Sequence, residues 1–135
     1  MSSLPNYYDK WDMSMKTAHI LMLTIFAAGM GLGQLLFKWS ALRQTINTDS
    51  SLLLRLISLF SDWPFLLGLV LYCSLTVYWI WLLTFLPLSR AYPFTFLSLA
   101  IAAIGSALFF HEPLTFPFVT GLVLIGVGLM VMSAG

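Results

Sequence analysis

Gly33-Gln34-Leu35-Leu36-Phe37-Lys38-Trp39-Ser40 puts an amide and an ammonium into a segment whose other residues suit lipid. Gln34 and Lys38 stand four residues apart, so in a helix they lie one above the other on a single face. A lysine in mid-bilayer costs about 2.5–3.5 kcal/mol on insertion scales. The placement therefore requires a compensating feature, and two are open. Either the ammonium meets an anionic or hydrogen-bonding group inside the membrane, or its stem snorkels to the headgroups. With the span centred near residue 29, Lys38 lies about 13 Å from the midplane, so both remain possible.

The rest of the chain sets the class. Hydrophobic residues make up 60% of its 135 residues and charged residues 8%, against roughly 25% charged in a soluble domain; the mean hydropathy is +0.95. About 20 apolar residues cross a bilayer. These observations predict an all-α integral membrane protein with four transmembrane helices, near 17–42, 64–86, 91–110 and 116–133. A short interfacial helix is predicted within 50–61 of the first loop. Residues 17–135 then form one transmembrane domain behind a polar N-terminal tail, 1–16. A net charge of +1 offers nothing to a nucleic acid. The single cysteine, Cys73, sits in an apolar run with no disulfide partner or metal-ligand company, and reads as a packing residue. The serines lack a base and no zinc spacing occurs, so the chain is expected to be no enzyme and to hold neither cofactor nor metal.

In the tail, Asp9, Lys10, Asp12 and Lys16 alternate in sign beside Tyr7, Tyr8 and Trp11, which suit an interface. Lys16 followed by apolar residues and Ala27-Ala28-Gly29 imitates a signal peptide, but the apolar run continues past the small residues. Gly29, Gly31 and Gly33 form a patch for close helix approach. Their spacing also imitates a nucleotide fingerprint, without the preceding strand or the following acid. In the first loop a leucine-rich segment around Arg55 is too short to span; it either anchors the loop or lines a lateral entrance for a lipid.

Trp63-Pro64 opens the second span, since proline fits a first helical turn. On that span Tyr72, Thr76 and Trp79 share one face, which either presents rings and hydroxyls to a substrate or is ordinary packing. The third span is rich in alanine and serine, a composition that favours burial between helices. Glu112 is the last carboxylate of the chain. It either rests in the headgroup layer at the positive end of the next helix, or has a gating or proton-handling role. Gly121, Gly126 and Gly128 suit a fourth helix packed against another, from this chain or a second subunit. Both chain ends lie on one side of an even-span protein. Lys10, Lys16 and Arg90 then oppose Lys38, Arg43 and Arg55, so the count of basic residues does not select an orientation.

The Gly33–Ser40 stretch, Trp63-Pro64, Pro87-Leu88-Ser89-Arg90-Ala91-Tyr92-Pro93, His111-Glu112-Pro113-Leu114-Thr115 and the glycine-punctuated last helix follow one another in order. Together they resemble the four-helix members of the drug/metabolite transporter superfamily, which includes the small multidrug resistance proteins and EamA-like repeats. The small multidrug resistance proteins carry a proton-coupling glutamate three residues before the glycine of this stretch; the position here is Met30. Gln34, Lys38, Ala91-Tyr92-Pro93 and His111-Glu112-Pro113 are closer to the small paired proteins that flip aminoarabinose-linked undecaprenyl phosphate. That resemblance implies a multi-pass protein of the bacterial inner membrane that flips an anionic lipid-linked sugar. It also implies a homodimer, or a heterodimer with a related four-helix protein, with antiparallel halves and the site between them. Gln34, Lys38, Tyr72, Thr76, Trp79, Arg90, Tyr92 and Glu112 are then the candidate substrate-binding residues, with Arg55 a further phosphate ligand. Two other functions stay open: a transporter of small polar or cationic solutes, and a non-transporting subunit that docks a glycosyltransferase.

Overall fold

A computed structural model of the chain describes residues 17–44 and 51–134. The expected tail, 1–16, and the first residue of the expected interfacial segment lie outside them. The described residues form helices joined by short connections: α1 Thr17–Gln44, α2 Leu52–Leu59, α3 Trp63–Leu83, α4 Leu88–Ala91, a 3-10 turn Tyr92–Phe94, α5 Thr95–Phe110 and α6 Phe116–Ala134.

Helix α1 is a single rod of 28 residues, about 42 Å long. No proline interrupts it and no charge occurs before Lys38. Pro64 occupies the first turn of α3, where its missing N–H would have had no partner in any case. That helix closes at Leu83, three residues before the expected end. The Thr84 hydroxyl turns back onto the Trp81 carbonyl at 2.7 Å, and Pro87 follows. The third apolar stretch is jointed at its start, because Pro93 removes a backbone donor and the 3-10 turn restores the path. There the Thr95 hydroxyl donates to the Tyr92 carbonyl at 2.6 Å. Three helical stretches are long and apolar enough to cross a membrane: Thr17–Gln44, Trp63–Leu83 and Leu88–Phe110. Phe116–Met132 is a shorter apolar helix.

Helix α1 lies between α3 and α5 and packs along most of its length against both. It runs antiparallel to α3: Trp39 meets Trp63 edge-on at 5.1 Å, Phe37 meets Phe65 at 5.9 Å and Phe26 stacks on Trp79 at 4.6 Å. It runs parallel to α5, since Gly31 faces Ser98 and Ile101 while Leu35 faces Gly105. The glycines make these approaches possible. A Cβ on Gly31 would lie 2.7 Å from Ile101 Cγ2 and 3.1 Å from the Ser98 carbonyl oxygen. A Cβ on Gly33 would overlap the Tyr72 ring. The apolar centre holds Leu23, Phe26, Leu75, Leu82, Leu86 and Ala91, all buried. The central element is α1; the alanine- and serine-rich third stretch, expected to be buried between helices, has α1 on one side and only a light contact with α6 on the other. Cys73 corrects the expectation of a packing role: it faces outward from α3, on the side away from α1.

Candidate functional site at the upper end of the first helix

Lys38 sits six residues before the end of α1, about 9 Å along its axis, and the parallel course of α5 brings the α5–α6 connection to the same level. Helix α5 ends at Phe110, and His111 adopts a left-handed conformation, φ 55° and ψ 31°. Histidine enters that region more readily than most side chains. The Glu112 N–H then donates back to the Ser106 carbonyl at 3.5 Å. This reversal aims Glu112 at α1, where its Oε1 lies 2.5 Å from Lys38 Nζ, with the two side chains 42% and 41% exposed. The hydrogen bond from Lys38 holds the Glu112 carboxyl below the usual carboxylate range. Partial desolvation opposes that effect, while the Lys38 charge and Ser106 add to it.

One turn below, Gln34 is exposed on the same face of α1, and its amide donates to the Tyr72 hydroxyl oxygen. That hydroxyl donates in turn to the Met30 carbonyl at 3.4 Å. The Tyr72 ring lies on Gly33 and against Phe37, at 5.1 Å between centroids. A second ion pair closes the end of the bundle: Arg43 Nε stands 3.5 Å from Asp62 Oδ1, joining the last turn of α1 to the start of α3. On the opposite face of α1 an apolar groove of about 650 Å³ opens sideways. Leu32, Leu36 and Trp39 form its floor, with Leu67 and Leu71 of α3 and Phe109 of α5 among its walls.

The eight candidate site residues thus fall into three groups. Gln34, Lys38, Tyr72 and Glu112 come together. Thr76 and Trp79 lie further along α3, where the Thr76 hydroxyl bonds its own helix at the Tyr72 carbonyl, 2.8 Å away, and the Trp79 ring covers Phe26. Arg90 and Tyr92 belong to the other end of the bundle, beside the Leu23 turn of α1, about 20 Å from Lys38 along the axis. Of the candidate packing glycines, Gly29, Gly31, Gly33 and Gly126 each meet a neighbouring side chain, whereas Gly121 and Gly128 face open space. The sequence reading missed that Glu112 is the partner of Lys38, and it missed the apolar groove. Opposite charges at the upper ends of two parallel helices, and the spacing of Leu32, Leu35, Leu36 and Trp39, are the signals that carry them. Among the described residues no group of three His, Cys, Asp or Glu gathers to hold a metal.

These features define a multi-pass helical membrane protein with a polar, two-charge site at one end of its central helix. No family model and no solved structure matches the chain. It is similar to the probable 4-amino-4-deoxy-L-arabinose-phosphoundecaprenol flippase subunit ArnE of Aeromonas salmonicida, 45% identical over 58 residues, 43% of this chain and 50% of that protein. The subunit of the same name from Aeromonas hydrophila is 42% identical over 55 residues, 41% of this chain and 48% of that protein. That of Hamiltonella defensa is 35% identical over 57 residues, 42% of this chain and 51% of that protein. The chain spans about half the length of the curated relatives it matches.

Proposed function

We propose that this chain is one subunit of a transporter that flips a sugar-bearing polyprenyl phosphate across the bacterial inner membrane. The observation that carries the reading is the polar strip on α1, where Gln34 and Lys38 look out from a helix otherwise built for lipid. Lys38 offers a charge-assisted hydrogen bond to a phosphate, and Gln34 with Tyr72 offers donors and acceptors to sugar hydroxyls. The apolar groove on the other face of α1 has the size of a small-ligand site and suits an apolar chain, such as a more distant part of the prenyl tail. The names of the similar proteins support the same substrate class. The small multidrug resistance proteins, which the sequence resembles, carry a carboxylate in the first span, and Met30 takes that place here.

In this reading α6 is a fourth span and the site is completed by a second four-helix subunit, either a copy of this chain or a related protein. The test is reconstitution in vesicles with a labelled lipid-linked sugar, following its access to a membrane-impermeant reagent. Exchange should fall at least about tenfold in Lys38→Ala, the scale of one lost charge-assisted hydrogen bond, and measurably in Gln34→Ala. Unchanged rates in both would remove the proposed site.

A further inference from the structure

Lys38 is already matched with Glu112 in the chain, and that pairing restricts what can displace it. A phosphate that took Lys38 for itself would leave the Glu112 carboxylate without a counter-charge and beside a second anion, an arrangement that electrostatics disfavours. A head group with an ammonium on its sugar and a phosphodiester at the other side of the ring has no such difficulty. Its phosphate replaces Glu112 at Lys38 while its ammonium replaces Lys38 at Glu112. One ion pair becomes two, and no charge is left unpaired in the bound state.

Resting on the function proposed above, we propose that Glu112 is the specificity-determining residue of the site. The names of the similar proteins already give an amino sugar on a prenyl phosphate; the new step is that Lys38 takes the phosphodiester and Glu112 the amine, so that preference for a charged amino sugar over a neutral one resides in this one carboxylate. The local structure permits the exchange. Both side chains are about two-fifths open, at 41% and 42%, so a head group reaches them without unfolding anything. Lys38 has a long stem with several rotatable bonds. The Glu112 backbone N–H, just beyond the left-handed His111, is held to the Ser106 carbonyl at 3.5 Å, so the side chain can reorient while the backbone and α5 stay in place. The Gln34 amide, one turn below Lys38 on α1, and the Tyr72 hydroxyl of α3 that it bonds offer the sugar ring further hydrogen-bonding groups.

The experiment compares two probes on the full chain in lipid nanodiscs: an amino-arabinose phosphoprenol and its N-acetyl derivative, which keeps the phosphate and the prenyl chain but has no charge on nitrogen. The wild-type protein should bind the amine form roughly ten- to a hundredfold more tightly, the range of a charge-assisted hydrogen bond. Glu112→Gln should bind the two probes alike, Glu112→Asp should keep part of the preference, and Lys38→Gln should weaken both together. Equal binding of the two probes by the wild-type protein, which needs no variant to fold, overturns the assignment. So does a preference that survives in Glu112→Gln. Transport separates this inference from the function beneath it. If the preference is found but neither lipid crosses the vesicle membrane, the site stands and flipping falls. If lipid crosses while Glu112→Gln leaves selectivity intact, flipping stands and the role of Glu112 falls.

Discussion

Lys38 and Glu112 are each costly near a bilayer on their own, and each makes the other tolerable. A lysine drawn toward hydrocarbon loses hydration, and a carboxylate at the same depth restores a counter-charge at hydrogen-bonding distance. The pair also gives the protein a definite acid response. The folded state holds the Glu112 carboxyl below its ordinary value. Its stabilising contribution is therefore fully present above the ordinary carboxylate range and is lost as pH falls through the lowered folded value. Acidifying the detergent-solubilised protein should lower its unfolding midpoint at that point, and Glu112→Gln should lack this component of the drop. Tyr72 belongs to the same scale. Tyr72→Phe removes the bridge between Gln34 and the Met30 carbonyl. It should cost about 0.6 kcal/mol, the average for interhelical hydrogen bonds in membranes, when unfolding is followed in lipid by steric trapping.

Helices associate in lipid by close packing rather than by expelling water, so the small residues of α1 govern the elements. Gly31→Leu would drive a side chain into Ile101 and the Ser98 backbone. Backbone cannot move aside as a flexible side chain does, so α1 and α5 must part. A loss of about 1–3 kcal/mol is expected, as for overpacked cores, and thermal unfolding would register it. The end of α5 depends on a different constraint. A β-branched side chain at φ 55° meets the steric cost of the left-handed region, about 1–2 kcal/mol. His111→Val should therefore destabilise the turn and pull Glu112 from Lys38, whereas His111→Gly should keep both.

At the scale of the whole molecule, α3 and α5 sandwich α1, while α6 touches the rest lightly. Apart from Gly126 its described side chains are exposed or half-exposed. Gly121 and Gly128 on this helix meet nothing within 4 Å. Gly128→Leu should therefore leave the helical content and thermal stability of the single chain close to wild type. In the paired assembly proposed above, the same change should lower the cross-linked dimer fraction in membranes; an unaltered fraction would place the contact between subunits elsewhere.

Much of this architecture is legible in the amino-acid order, because a bilayer is a demanding solvent. Backbone groups in hydrocarbon must satisfy one another, so a long apolar run without proline, such as Thr17 to Phe37, has helix as its solution. Trp63-Pro64 and Pro87 mark ends by chemistry that acts within one or two turns. The spacing of Gln34 and Lys38 on one face follows from helix geometry alone. What the order of residues could not supply is which helices are neighbours, and in which direction each runs beside the others. The partner of Lys38 lies 74 residues further on, and no local rule connects them. The separation of Arg90 and Tyr92 from Lys38, and the groove made by three different helices, are set in the same way. Helix formation is a local necessity in lipid, whereas the Lys38–Glu112 site exists only because α1 and α5 pack side by side in the same direction.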